Sequence, residues 1–81
     1  MIDSKTLEEK MMGFFSLTYR KDMKELRKET RIKEDLSPKS LLLIGVVAQI
    51  EAEFDIQFPF TEAGKAKTIG EMIEMVAALI K

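Results

Sequence analysis

The strongest constraint on this chain is an apolar segment at residues 35–54, which predicts one long helix with a clear start signal. Ser37 can cap that helix, because its hydroxyl can accept a hydrogen bond from an unpaired N–H of the first turn. Pro38 suits the first helical position, where a missing N–H costs nothing. Ser40 then falls in the first turn, where the helix dipole favours a negative group. By itself it is either an ordinary helix residue or the attachment point of a phosphate-linked group.

Length and composition exclude several classes of function. The 81 residues predict one domain over 1–81 with a small core, and the 46% hydrophobic and 33% charged residues indicate a folded protein. The chain has no cysteine and no histidine, which argues against a thiol nucleophile, the usual zinc sites and the commonest general base. We therefore expect neither an enzyme nor a metal centre.

Targeting signals are also missing from the sequence. The first ten residues are polar and mixed in charge, unlike a signal peptide, and the apolar run at 41–50 is too short to cross a bilayer. These features predict a cytoplasmic location.

Positive charge is concentrated in residues 20–33. This stretch holds seven basic and three acidic residues, a net charge of +4. Since the whole chain has a net charge of −1, the remaining residues carry −5. It could face a nucleic acid, but it contains no aromatic residue to stack on bases and its acids are interleaved. A solvated loop is the favoured interpretation.

Helical periodicity predicts an all-α fold. A capping-box pattern at Thr6 and Glu9 opens a first helix over 6–19, and a long loop over 20–34 follows. In this loop Asp22 could cap a single turn that packs Met23 and Leu26 against the core.

The second helix is predicted over 38–54, a short helical turn over 61–65, and a last helix from a second capping box at Thr68 and Glu71. The expected architecture is a small four-helix bundle, three main helices plus one short helix, with a long loop between helices one and two.

The second helix is apolar on almost every side, and so small a domain can hardly wrap it completely. Some of Leu42, Leu43, Gly45 and Val46 should therefore stay at the surface, where an apolar patch suggests a partner. Neighbouring loops could instead cover them, and the sequence leaves both possibilities open.

Several segments together resemble the acyl carrier protein family. The pattern D-L-x-x-K-S-L at 35–41 is followed by E-A-E-F-D-I at 51–56 and by F-P at 58–59. The segments L-E-E-K at 7–10 and E-T-R-I-K-E-D-L at 29–36 are similar to the family's first-helix start and the end of its long loop. The likeness runs over essentially the whole chain.

The resemblance implies a function. Ser40 would carry 4′-phosphopantetheine, whose terminal thiol would hold an acyl chain as a thioester, so that the cofactor brings the sulfur this chain lacks. The implied partners are a phosphopantetheinyl transferase and acyl-transferring or synthase enzymes of fatty-acid, lipid or polyketide-type synthesis. The implied carrier is a monomer that binds no nucleic acid and does not insert into membranes. The expected acyl pocket is lined by Leu41, Ile44, Val47, Ile56, Ala66, Ile69 and Ile73.

The sequence departs from the family pattern around Ser40. Lys39 stands where the family has an aspartate, and Leu42 and Gly45 stand where it has acids on the exposed face of the second helix. Such acids pair with basic patches on partners, so a less acidic and more apolar docking surface is implied. We expect this surface to comprise Lys39, Leu42, Leu43, Gly45 and Val46. The alternative function is an unmodified interaction module that docks through the same face.

Overall fold

The computed structural model describes residues 2–80, which form three long helices and one short one. The helices are α1 (Ser4–Tyr19), α2 (Ser40–Phe54), α3 (Phe60–Ala63) and α4 (Ile69–Ile80). A 3₁₀ turn (Met23–Glu25) and a π turn (Ile32–Leu36) interrupt the connection between α1 and α2. Across residues 2–80 the chain forms no strand, so the predicted all-α bundle with a long first connection is confirmed.

Helix α1 begins earlier than its capping-box pattern predicts. Asp3 is the cap, and its Oδ1 accepts a hydrogen bond from the N–H of Thr6 at 2.7 Å. Thr6 therefore lies inside the helix, and its assignment as the cap is wrong, because an aspartate three residues earlier already satisfies its N–H. The core face of α1 repeats every four residues as Leu7, Met11, Phe15 and Tyr19.

The long connection is fixed to the start of α4 by backbone hydrogen bonds. The N–H of Ile32 donates to Lys67 O at 2.9 Å, and the N–H of Gly70 donates to Lys28 O at 2.9 Å. The N–H of Ile69 also donates to the carbonyl of Thr30, at 3.1 Å. These bonds give partners to backbone groups of a segment that has little regular structure of its own, and they hold that segment against the start of α4. We call this set of three bonds the loop clamp.

Asp22 caps the 3₁₀ turn as predicted, since its Oδ1 accepts the N–H of Lys24 at 2.9 Å. Leu26 is buried as expected, but Met23 is 46% exposed, so its predicted packing against the core is wrong. The turn directs Leu26 inward and leaves Met23 on its outer side.

Helix α2 begins at Ser40 rather than at Pro38. The N–H of Ser37 donates to Ile32 O at 3.0 Å and closes the π turn, while Ser37 Oγ accepts the N–H of Lys39 at 3.2 Å. Lys39 keeps an extended backbone, with ψ at 113°, so the helix cannot include Pro38. Ser37 thus caps a turn that precedes the helix instead of the helix itself.

The remaining elements close the core. Phe58 is 2% exposed, and its N–H donates to Glu51 Oε2 at 2.8 Å, which ties the segment before α3 back to α2. At the start of α4, Thr68 Oγ1 accepts the N–H of Glu71 at 3.1 Å, whereas the Glu71 carboxylate accepts the N–H of Lys67 at 2.7 Å. One of the two bonds of the predicted capping box is therefore formed, the one accepted by Thr68. The other differs, because the Glu71 carboxylate accepts the N–H of Lys67 in place of that of Thr68.

Candidate functional site

Ser40 is the first residue of α2, and its side chain is exposed to solvent. The 15 residues of α2 direct their peptide dipoles so that the positive end lies at Ser40. Since N–H groups of a first turn have no carbonyl partner within their own helix, a negative group attached here is stabilised. The position predicted for an anionic attachment is thus accessible and electrostatically suited to it.

Asp35 fixes the turn that leads into Ser40. Its Oδ2 accepts the backbone N–H of Arg31 at 2.8 Å, and its Oδ1 lies 3.2 Å from the Arg31 guanidinium. The backbone hydrogen bond, followed by the guanidinium, holds the pKa of Asp35 below its usual value, and the carboxylate raises the pKa of Arg31. The aspartate of the D-L-x-x-K-S-L pattern is therefore a positioning residue that braces the π turn.

A pocket of about 140 Å³, which we call the Ser40 pocket, opens beside this serine. It is formed by the end of α1, the π turn, the start of α2 and α3. Its lining residues are Tyr19, Ile32, Lys33, Ser37, Pro38, Lys39, Ser40, Leu43, Phe60 and Gly64.

The Ser40 pocket has a charged outer side and an apolar inner side. Lys33 and Lys39 are exposed, whereas Tyr19, Ile32 and Leu43 are buried. The residues around the mouth of this pocket therefore include two lysines as well as the N-terminus of α2, and both kinds of group favour a negative charge. On the buried side of the pocket, an apolar group would be removed from water, which is favourable.

Tyr19 is a buried residue among those that line the Ser40 pocket. The residue is 8% exposed, and its ring stacks on Phe15 with centroids 5.8 Å apart. Among the described residues, its hydroxyl is the buried side-chain oxygen that has no hydrogen-bond partner. Burial raises the pKa of this phenol above its usual value, so it stays protonated at neutral pH and can donate a hydrogen bond.

Comparison with curated proteins gives a consistent family. The acyl carrier protein of Helicobacter hepaticus is 35% identical over 57 residues, covering 70% of this chain and 75% of the relative. That of Clostridium acetobutylicum is 32% identical over 57 residues, covering 70% and 74%. That of Rickettsia canadensis is 30% identical over 70 residues, covering 86% and 81%. This chain belongs to the acyl carrier protein family. No family model matches it.

Membership in the acyl carrier protein family confirms the resemblance drawn from the sequence. A protein of this family is a carrier rather than an enzyme, its usual role lies in lipid biosynthesis, and its partners are synthases and acyltransferases. Within residues 2–80, no helix combines the length and the apolar character needed to cross a membrane.

The residues expected to line an acyl pocket separate into two groups. Val47, Ala66, Ile69 and Ile73 lie in the core cluster, and Ile56 packs against it. By contrast, Leu41 is 75% exposed and Ile44 is 47% exposed. The Ser40 pocket is lined by none of these seven residues. The structure thus places Leu41 and Ile44 on the outer side of α2, and the acyl-pocket lining stays a prediction.

The predicted docking residues also divide. Leu43 and Val46 are 6% and 0% exposed, so the structure places these two residues in the core and not on the outer face of α2. Leu42 is half-buried against the core, and Lys39 is exposed.

Gly45 belongs to a helix contact rather than to the solvent face. A Cβ at this position would lie 3.3 Å from Thr18 Cγ2, so the glycine allows α2 to approach α1 closely. Beside it, Gln49 Nε2 donates to Thr18 Oγ1 at 2.6 Å and to the Gly45 carbonyl at 3.2 Å. The close approach of α2 to α1 is sufficient to explain the glycine at position 45, and docking of a partner protein is not needed to account for it.

The exposed face of α2 is an apolar stripe that the sequence alone did not single out. Its residues follow at helical spacing and are all exposed: Leu41, Ile44, Ala48 and Ala52. Because apolar residues occupy nearly every side of α2, periodicity could not tell this face from the buried one. Tyr19 was likewise missed, although its place four residues after Phe15 on the α1 core face was a usable signal.

Proposed function

We propose that this acyl carrier protein bears 4′-phosphopantetheine as a phosphodiester on Ser40. The observation that carries the proposal is the exposed Ser40 hydroxyl at the positive end of α2, beside a pocket with two lysines on its outer side. The group supplies the terminal thiol on which an acyl chain is held as a thioester. The residues fit it, because Lys33 and Lys39 favour the phosphodiester and the chain has no cysteine of its own.

Residues of the chain then have distinct roles in the carrier. Asp35 would brace the π turn that leads to Ser40, and its 2.8 Å bond with the Arg31 N–H supports this role. The inner side of the Ser40 pocket, with Ile32 and Leu43, offers apolar surface to the cargo. Each methylene that leaves water there stabilises the inserted state by about 0.8 kcal/mol.

Attachment is tested by incubating the protein with coenzyme A and a broad-specificity phosphopantetheinyl transferase and measuring the intact mass. The wild-type chain is expected to gain the mass of one phosphopantetheine, and Ser40→Ala is expected to gain none. Ser4→Ala is the matched control, because Ser4 is also an exposed serine at the first residue of a helix. A folded wild-type protein that gains no mass with several transferases would refute the proposal.

We further propose that partner enzymes dock on the apolar stripe of α2, next to Lys39. Leu41→Asp and Ile44→Asp should weaken binding to an acyltransferase or synthase partner. Leu17, 74% exposed on α1, is a matched control for Leu41 at 75%, and Leu79, 44% exposed on α4, is a matched control for Ile44 at 47%. Equal effects at the α2 positions and their controls would contradict the docking assignment.

A second candidate function is an unmodified interaction module that uses the same stripe. The exposure of Leu41 favours it, since an apolar docking face works without an arm. Partner binding that is unchanged in Ser40→Ala, together with no mass gain in the wild type, would favour this candidate over the carrier.

A further inference from the structure

Four exposed lysines line two adjoining cavities near the start of α2. We call them the lysine patch: Lys33, Lys39, Lys65 and Lys67. One cavity is the Ser40 pocket, and the other is a cleft of about 300 Å³ that shares Lys33 and Gly64 with it. The N–H of Ile32 donates to the carbonyl of Lys67 at 2.9 Å, so the loop clamp holds together two segments that contribute to the patch.

The lysine patch is positive, although the chain as a whole is not. The charged residues that line the two cavities are these four lysines and Glu34, a net charge of +3. Since the whole chain has a net charge of −1, all other residues together carry −4. One member, Lys65, lies 3.2 Å from the carboxylate of Glu62. The other three form no ion pair with the described residues: Lys33, Lys39 and Lys67.

The exposed surface of α2 next to the lysine patch is apolar and lacks acids. The stripe described above begins at Leu41, immediately after Ser40. Residues 40–50 include no charged side chain, and the first acid after them, Glu51, accepts the N–H of Phe58. A molecule that covers both the stripe and the patch would therefore contact apolar side chains bordered on one side by positive charge.

We propose that the lysine patch binds acidic side chains at the rim of a partner protein whose apolar centre covers the stripe of α2. Protein interfaces have this arrangement of an apolar core within a polar rim. A protein fits better than a nucleic acid, because a phosphate backbone offers no apolar surface to cover Leu41. The inference rests on the proposed function, because it takes the partner to be an enzyme that acts at Ser40.

The uneven distribution of charge also gives the encounter a direction. An acidic partner is attracted to the lysine patch, whereas the rest of the chain, with its net charge of −4, repels it. Complementary charge of this kind raises association rates and selects one orientation of approach. The partner would therefore meet the Ser40 end of α2 first.

The test uses a synthetic partner of known charge. It is a labelled helical peptide with leucines along one face and glutamates along both edges of that face, and matched peptides carry glutamine or lysine in place of glutamate. Fluorescence anisotropy measures binding to the full chain at about 10 mM and about 150 mM salt, which shortens the screening length from about 30 Å to about 8 Å. Amide NMR shifts then locate the bound peptide on the protein.

We expect the glutamate peptide to bind most tightly and the lysine peptide least, with a difference that shrinks at the higher salt concentration. The double variant Lys33→Gln with Lys67→Gln should weaken binding of the glutamate peptide about fivefold, the effect of exposed ion pairs of ordinary strength. Lys5→Gln with Lys24→Gln is the matched control. It removes the same charge from two exposed lysines outside both cavities and should weaken binding much less.

Equal binding of the glutamate and glutamine peptides, or equal losses in the two double variants, would overturn the inference and leave the carrier proposal intact. An oligouridylate of the same net charge that bound as tightly as the glutamate peptide would overturn it as well. The arm is tested separately by the mass gain at Ser40. A protein that binds the glutamate peptide but takes no arm would overturn the carrier proposal, and with it the identification of the partner as an enzyme that acts at this serine.

Discussion

Two glutamates of α2 make polar contacts of the same length but should differ in their effect on stability. Glu51 Oε2 accepts the backbone N–H of Phe58 at 2.8 Å in a partly buried contact. Glu53 Oε2 lies 2.8 Å from Lys10 Nζ, but the two side chains are 42% and 40% exposed. A hydrogen bond to a charged group contributes about 1.5–3 kcal/mol, whereas an exposed ion pair contributes about 0–1 kcal/mol.

Glu51→Ala should therefore lower the free energy of unfolding by about 1.5–3 kcal/mol, because it leaves the N–H of a 2% exposed residue without a partner. Glu53→Ala should cost less than about 1 kcal/mol. Glu51→Gln keeps an acceptor oxygen without the charge and should fall between the wild type and Glu51→Ala.

Urea unfolding followed by far-ultraviolet circular dichroism measures these differences. The slope with urea should stay constant, so that the change appears in the midpoint. If the two alanine variants lost the same stability, the assignment of Glu51 as the tie between α2 and the segment before α3 would be refuted. A loss in Glu53→Ala as large as that predicted for Glu51→Ala would contradict the small contribution expected of the exposed ion pair with Lys10.

Three further outcomes follow from the contacts described above. Gly70→Ala should destabilise the fold, because its Cβ would lie 3.1 Å from the Lys28 carbonyl oxygen. Gly13→Ala should stabilise α1 by about 0.5–1 kcal/mol, because a Cβ at this position meets no atom within 4 Å. The urea midpoints of the two variants should therefore shift from that of the wild type in opposite directions. Acidification below pH 3.8, the usual pKa of an aspartate, should lower the melting temperature, because Asp35 has a lowered pKa in the folded chain and its contribution to stability is lost when it is protonated. The melting temperature of Asp35→Asn should depend less on acid pH. An acid profile equal to that of the wild type would contradict the stabilising role of the Asp35 carboxylate. The contribution of Tyr19 to stability should be constant up to pH 10.0 and fall above it, because its pKa is raised in the folded chain and the unfolded chain therefore releases the phenol proton first. In thermal melts, Tyr19→Phe should remove this part of the loss of stability at alkaline pH.

The sequence was sufficient to predict the elements that depend on local periodicity. The three long helices follow from apolar residues at helical spacing, and the 3₁₀ turn follows from Asp22. Helix starts were less certain, because two acceptors compete within a few residues: Asp3 caps α1 in place of Thr6, and Ser37 caps a turn just before α2.

Features that depend on tertiary contacts could not be predicted from the pattern. The loop clamp joins backbone groups of residues 28–32 to residues 67–70, and backbone hydrogen bonds leave no side-chain signature. The orientation of α2 was ambiguous for a similar reason, since Leu41 and Leu43 are equally apolar but only Leu43 is buried. Ser40, in contrast, was correctly placed at the start of a helix, since residue type and position both mark it.

The loop clamp has a consequence for the order of events during synthesis. Ile32, the first residue of the π turn that leads to Ser40, donates its N–H to Lys67, which the ribosome adds 35 positions later. A nascent chain that has just passed α2 contains the serine and the local hydrogen bonds of the π turn, but it lacks the loop clamp that holds this turn against the start of α4. An enzyme that recognises the clamped turn would therefore meet it only after translation has passed residue 70, so any modification proposed at Ser40 would follow completion of the fold.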